Sequence, residues 1–410
     1  MRNISNLAVV GCAAVAAALA ALLAGDDVFS QTAKKRLPPP PGFVSTSGTR
    51  FTVDGKVFPV AGVNNHYLVY GTQEEVVRVL DDAVAMGANV VRTFLQPVIG
   101  SKTDPNVPTI WDFRSRAETS NLGVNGSYLL YWDGERDVMA VNDGPNGLQK
   151  IDFLMAEAAK RNLKVIVALL DYWRYTGGAA QMSAWYGNSD PARFFPTDPR
   201  TVRDYKSWAQ TVITRKNSIT GTIYADDPAI FGWQLMNEPN FEPTSVLYDW
   251  VSEMSAYIKS IDPHHLVSVG HGNIYDQFSD LEIETIDFGT WHGYPVHWGI
   301  SPQEMNARIG DFCAIAKKYS KPMLLEEFGY ARRNLDQIDV YKTWLDTIYR
   351  NRDCAGWVVW RLVSRQKAGI FPQDRHDQFD IRNDGGALFE TLRQAAGALR
   401  LGPMSESPLE

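Results

Sequence analysis

Eight short apolar runs, separated by segments of helical period, constrain this chain more than any other feature of it. They cover residues 57–64, 89–95, 164–170, 229–237, 266–270, 287–292, 322–327 and 355–362. The third is apolar without a break from Val165 to Leu170, a pattern that suits a parallel strand buried on both faces. Between the runs, Leu148, Ile151, Met155 and Ala158 recur at helical spacing, as do Ile338, Tyr341, Leu345 and Ile348. Thr72 followed three residues on by Glu75 predicts a capping box that opens a helix. No low-complexity block or Ser/Gly linker breaks residues 43–400, so they read as one domain. Strands alternating with helices predict an α/β chain, a (β/α)8 TIM barrel with a long insertion after its second strand. A doubly wound sheet is the alternative, but no GxGxxG or GKS phosphate loop follows any run.

In such a barrel, chemistry collects where the strands end, at their carboxyl face. The runs end on Arg92, Asn237 with Glu238, His292 with Tyr294, Glu327 and Trp360. These are polar, acidic or aromatic caps on otherwise apolar segments. Glu238 and Glu327 close the fourth and seventh runs, 89 residues apart (327 − 238), and so point one carboxylate each across the barrel mouth. Cleaving an acetal requires an acid for the departing oxygen and a second group to attack or stabilise the oxocarbenium-like carbon. Two opposed glutamates supply both. An isolated Glu would read as a salt-bridged structural acid, but the Asn-Glu-Pro and Glu-Phe-Gly settings at strand ends favour chemistry. Composition agrees: 12 Trp are more than a core requires, and they fit a cleft in which flat rings stack on sugars. A net charge of −7 without a basic run argues against nucleic acid. No CxxC or HExxH spacing is present, and the chemistry needs neither metal nor cofactor. The acidic series Asp374, Asp377, Asp380, Asn383, Asp384 lacks EF-hand spacing and reads as a solvated loop. His264 and His265 fall in a helix-to-strand turn and read as structural.

From about Phe51 to about Leu362 the chain resembles glycoside hydrolase family 5, and specifically its endo-β-1,4-mannanases. The likeness is densest over 195–239, ending in Trp233-Gln234-Leu235-Met236-Asn237-Glu238-Pro239. It extends to 87–93 with Arg92, to Trp291-His292-Gly293-Tyr294-Pro295 and to Glu326-Glu327-Phe328-Gly329. The resemblance implies a retaining hydrolase of β-mannan or a related polysaccharide, with Glu238 as acid/base and Glu327 as nucleophile. Glu326 competes for the second role, because neighbouring strand residues face opposite ways and only one reaches the cleft. The family places the nucleophile directly before the aromatic-Gly pair, which selects Glu327. The resemblance further implies that Asn237 binds the sugar 2-hydroxyl, that Trp360 floors the subsite of the attacked sugar, and that Arg92, His292 and Tyr294 keep Glu327 ionised. Glu238 is then expected to titrate high and Glu327 low, about 5–5.5 Å apart. Trp173, Tyr175, Trp185 and Trp298 are further cleft candidates, with loop packing as the alternative for each. Asn240 follows Pro239 where many mannanases carry Arg, so the leaving-group side lacks a cation. Other readings are an exo-β-mannosidase or another β-glycosidase or transglycosylase, and a carbohydrate-binding protein without catalysis. No protein partner is implied.

Residues 96–147 depart most from that pattern. They include Trp111, Tyr128, Tyr131 and Trp132, yet their Gly, Asn, Asp and Pro content argues against a regular layer. Loops this long tend to be functional. The segment either extends the cleft with aromatic platforms or walls off one end and converts endo into exo cleavage. At the N-terminus, Arg2 and the apolar stretch 7–24 read as a secretory signal with cleavage after Ser30. An uncleaved membrane anchor and a lipoprotein attached at Cys12 are the alternatives. A Pro-rich leader at 31–42 and a flexible tail at 401–410 would flank the barrel. An exported, secreted or periplasmic enzyme could bridge Cys313 and Cys354; two buried free thiols are the other reading.

Overall fold

The computed structural model describes residues 39–402, apart from 105, 112–120, 273–279, 367–368 and 373–376. The stretch read as a signal or anchor, most of that read as a leader, Asp374 and most of the stretch read as a tail lie outside the described residues. Each of the eight apolar runs contains a strand: β1 (Val60–Asn64), β2 (Val90–Phe94), β3 (Lys164–Ala168), β4 (Ile230–Gln234), β5 (Leu266–Ser268), β6 (Gly289–Gly293), β7 (Met323–Phe328) and β8 (Gly356–Val359). They form one parallel sheet in chain order, and β8 pairs back onto β1 with Gly356 opposite Val60. The remaining edge, β5 to β6, is tied by Asp287: its N–H donates to the Val267 carbonyl at 2.8 Å and its carboxylate accepts from Val267 N–H at 2.7 Å. The sheet is a (β/α)8 barrel.

Long helices fill the connections: α1 (Gln73–Met86), α2 (Leu148–Lys160), α3 (Pro199–Ile213), α4 (Thr244–Ile261), α5 (Pro302–Tyr319), α6 (Gln337–Arg350) and α7 (Ala387–Leu401). Between β5 and β6 the described residues hold only a 3-10 turn, Asp280–Glu282. The α1 start is the capping box read from sequence: Glu75 N–H donates to Thr72 Oγ1 at 3.2 Å, and Thr72 N–H to Glu75 Oε2 at 2.8 Å. Val76, Val79, Leu80, Ala83 and Met86 form its buried stripe, and Gly87 ends it at φ 84°, a left-handed position glycine takes without strain.

Two apolar layers result. Outside the strands, the helices pack onto outward side chains. Inside, Val60, Val90, Ile166, Phe231, Leu266, Leu324 and Val358, with Phe288 ahead of β6, fill the lower barrel. An antiparallel hairpin, Val44–Ser47 with Arg50–Val53, closes the bottom. Its Phe51 ring lies edge-on to Phe231 at 4.9 Å and Phe288 at 5.2 Å, a burial that contributes roughly 2–3 kcal/mol. One layer higher the buried residues turn polar: Asn64, Arg92, Gln234, Ser268, His292 and Glu326. That switch positions the site at the carboxyl face.

Several expectations change. Eight of the twelve Trp (132, 185, 208, 233, 250, 291, 344 and 357) are buried, so their number reflects packing more than a cleft. The 96–147 segment is not irregular throughout. It forms a three-stranded sheet from Val98–Ser101, Leu130–Asp133 and Val138–Val141. Trp132 is buried there against Trp185 and Tyr186, and the Trp111 and Trp185 indoles donate to the Val98 and Ile99 carbonyls at 3.0 and 3.2 Å. Those rings brace the segment. Asp380 is buried and ion-paired with Arg332 and Arg382, not solvated. Cys313 on α5 and Cys354 before β8 are bridged. His265 is buried between Asp262 and the Asp227 carbonyl, a structural role as read.

Candidate active site

Arg92 sits at the centre of the polar layer, fully buried. Its Nη1 donates to Glu327 Oε1 at 2.5 Å and to Asn64 at 3.0 Å, and its Nη2 to Asn237 at 2.8 Å. Gln234 accepts from both Nε and Nη2, at 2.9 and 2.6 Å. Side chains from β1, β4 and β7 therefore converge on one guanidinium from β2, whose planar fork fixes all of them.

Glu238 follows β4 in a left-handed conformation, φ 50°. A non-glycine residue there stores strain of about 1–3 kcal/mol, and the turn directs its carboxylate into the mouth. Its Oε1 lies 2.5 Å from His292 Nδ1, and its Oε2 accepts from the Trp173 indole at 2.5 Å. Glu327, at the end of β7, accepts from Arg92 and, at 2.7 Å, from the Tyr294 hydroxyl. Oxygens of Glu238 and Glu327 lie within 4.8 Å of one another and of His292 Nδ1 or Nε2. Glu238 is the more open, its side chain 22% exposed against 5% for Glu327. Among the described residues this is the one trio close enough to share a metal ion. Arg92 and the imidazole of His292 already supply the positive charge there, so the set is built for proton traffic.

Two sequence expectations are corrected. Glu326 and Glu327 do not diverge. His292 pairs with Glu327 while Trp291 pairs with Leu325, so Glu326 is an extra residue in a bulge. Both carboxylates then meet Arg92, Glu326 at 3.2 Å from below and Glu327 at the mouth. His292 bonds Glu238 and also stands 3.5 Å from Glu327, whose charged form it favours. The expected titration order is also reversed in the substrate-free site. Burial would raise Glu238, but His292, the Trp173 indole and Arg92 outweigh it and hold that carboxyl below its usual range. Burial pushes Glu327 up, with the Glu238 charge adding to it, despite His292, Arg92 and the Tyr294 hydroxyl. Burial opposes charge on His292, but Glu327, Glu238 and Glu326 together push it up to about 9. The proton of the pair thus rests on His292.

Trp360 is half-buried beside the centre, stacked on Phe94 at 5.9 Å, with Phe94 in turn under the Arg92 guanidinium. Trp173 is 40% and Tyr175 56% exposed at the mouth. Trp298 is not brought to the glutamates; it packs on Trp291 and under Arg308, toward α5. Sequence reasoning passed over Asp171, which receives the Asn237 amide at 2.9 Å and the Trp173 N–H at 3.2 Å. Burial pushes its carboxyl up to about 7. Asp171 bridges directly to Asn237, so reading the end of the third run as the others were read identifies it. Gly272 was also missed: a Cβ there would stand 2.6 Å from Glu238 Oε1.

A family model described as GH family 5 beta-mannosidase-like matches residues 145–354. The chain is 32% identical to the mannan endo-1,4-beta-mannosidase A of Podospora anserina over 355 residues, which cover 82% of this chain and 85% of that protein. Among solved structures, it is similar to the endo-1,4-beta-mannanase of Rhizomucor miehei (30% identity, 88% of this chain and 99% of that one, TM-score 0.73). The endo-beta-1,4-mannanase of Thermotoga petrophila is alike at 29% identity and TM-score 0.73, covering 86% of this chain and 79% of that one. With half of its length matched by the family model and a polar centre at the carboxyl face of its barrel, the chain belongs to glycoside hydrolase family 5 and is a glycoside hydrolase.

Proposed function

We propose that the enzyme hydrolyses internal β-1,4-mannosidic bonds of mannan-type polysaccharides by double displacement. The observation that carries this reading is the approach of the two carboxylates to within 4.8 Å. That supports the spacing of about 5–5.5 Å used for a covalent intermediate over the wider one, about 6.5–9.5 Å, of an inverting enzyme. Glu327, aligned by Arg92 and Tyr294, is the nucleophile. Glu238, on the open side and held by His292 and Trp173, protonates the leaving oxygen and later activates water. Asn237 faces the 2-hydroxyl of the attacked sugar, and Trp360 lies beneath that sugar. The names of the relatives support mannan as substrate and endo action. The N-terminal signal-like stretch supports export, as does the Cys313–Cys354 bridge, since disulfides persist in oxidising compartments. Among the described residues no helix is long and apolar enough to cross a membrane.

Proton NMR of a reaction started on manno-oligosaccharides should show the β-anomer first; α-anomer first would rule out retention. Glu238→Gln should lose about 10²–10⁴ in kcat on mannan and far less on activated aryl mannosides. Equal losses on both would remove Glu238 from the acid/base role. Viscosity of a mannan solution should fall early, whereas slow thinning with mannose as the first product would point to exo action.

A further inference from the structure

Three carboxylates surround the imidazole of His292, and double displacement uses only two of them. The third is Glu326, which the β7 bulge turns into the barrel with no exposure at all. It accepts from Gln234 Nε2 at 2.8 and 2.7 Å and lies 3.2 Å from Arg92 Nε. Its Oε2 is 3.6 Å from His292 Nε2, a buried nitrogen that has no closer hydrogen-bond partner among the described residues. The other ring nitrogen of His292 is the one on Glu238. A carboxylate sealed directly above an apolar layer carries a heavy desolvation cost, offset here by Arg92 and Gln234 on one side while its other face is turned to the His292 ring.

We propose that Glu326 is a positioning residue: it holds His292 as an imidazolium aimed at Glu238, so that the pair stores the proton the leaving group needs. The inference rests on the reading of Glu238 as acid/base. The proton passes from His292 Nδ1 to Glu238 Oε1, leaving a neutral imidazole. Glu238 gives it to the glycosidic oxygen as the C–O bond breaks and Glu327 bonds to the carbon. When water attacks the glycosyl-enzyme, its proton returns through Glu238 to His292. The titratable groups of the polar centre come from nearly every strand: Arg92 on β2, Asp171 after β3, Glu238 after β4, His271 and Asp280 after β5, Tyr294 after β6, and Glu326 and Glu327 on β7. β1 contributes the neutral Asn64. Burial opposes the imidazolium. Burial and the His292 charge push His271 down to about 4, so it adds no cation at neutral pH. Glu327, Glu238 and Glu326 supply the balance, and of these three Glu326 is the one committed to no reacting atom.

The test is Glu326→Gln and Glu326→Asp in the full chain, with two readouts. One is the pH profile of kcat/KM on manno-oligosaccharides. The other is the ¹⁵N titration of the histidine side chains, with His292 assigned through His292→Asn. In the wild type, His292 should stay charged as pH rises until about 9, and the alkaline limb of activity should fall there with it. Glu326→Gln should lower both midpoints by about one pH unit, with KM changed less than about two-fold and the bell shape retained. Glu326→Asp should shift them less. A folded Glu326→Gln enzyme with both midpoints unmoved, or with activity reduced equally at every pH, would overturn the proposal. Should Glu326→Gln not fold, an unmoved His292 midpoint in Glu326→Asp would do the same. Full activity in Glu238→Gln would instead sink the acid/base reading, and the ¹⁵N midpoint would still decide what Glu326 does.

Discussion

Gly272 shows how tightly single residues are set around the proton-donating carboxylate. Its carbonyl accepts from His292 N–H at 3.1 Å, and a Cβ would meet Glu238 Oε1 at 2.6 Å and Cδ at 2.8 Å. Its backbone needs no left-handed conformation, so alanine costs the fold little. What must move is the Glu238 side chain. Gly272→Ala should therefore reduce kcat by about 10- to 100-fold, since a displacement near 1 Å at a reacting group is costly. The melting temperature should stay close to wild type. An alanine variant of unchanged kcat would show that Glu238 has slack the geometry denies it. The glutamates themselves could be read from sequence because each is a polar interruption of an apolar run, a signal local to about seven residues. Gly272 could not be read that way, for its constraint comes from a side chain on another strand.

The elements divide along the same line. Every barrel strand was legible, since a parallel strand buried on both faces writes its presence as a continuous apolar run. The α1 start was legible because Thr72 and Glu75 satisfy each other's backbone within one turn. The β7 bulge was not: whether Glu326 shares a side with Glu327 depends on how His292 pairs across the ladder. Nor did the 96–147 strands announce themselves, because strands of four residues set among turn residues lack a long apolar run. The Cys313–Cys354 bridge left two readings open, which only the approach of α5 to the turn before β8 resolves. It closes a loop across 41 residues, for which chain entropy gives about 4 kcal/mol, with measured values for native bridges of roughly 2–5 kcal/mol. Replacing both cysteines by serine should lower the unfolding free energy by that amount and leave kcat at 25 °C unchanged. Denaturant melts with and without reductant measure it, and coincident wild-type curves would show that the bridge adds nothing.

At the scale of the whole molecule, the barrel supplies the reacting groups and the 96–147 segment supports the loop that shapes their open side. That loop follows β3 and carries Asp171, Trp173 and Tyr175. Its lower part is fastened to the segment at several points. Thr176 donates to Gln96 at 2.5 Å, Ile110 N–H to the Gln181 side chain at 2.7 Å, and Trp185 to the Ile99 carbonyl at 3.2 Å. Gly177 packs so closely on the Val98 carbonyl that a Cβ would stand 2.0 Å from its oxygen. Trp132 lies behind these contacts, 7% exposed, between Trp185 and Tyr186. A ring so placed has no face for a sugar. Trp132→Ala should therefore cost about 3–5 kcal/mol of stability, as large-to-small changes of buried aromatics do. It should loosen the Asp171–Trp173 turn and lower kcat, with KM for long manno-oligosaccharides within about two-fold of wild type. Trp173→Ala, at an exposed ring beside Glu238, should instead raise KM and leave stability within about 0.5 kcal/mol. If Trp132→Ala raises KM for long substrates as strongly as Trp173→Ala while the melt is unmoved, the segment binds polysaccharide and does not brace the mouth.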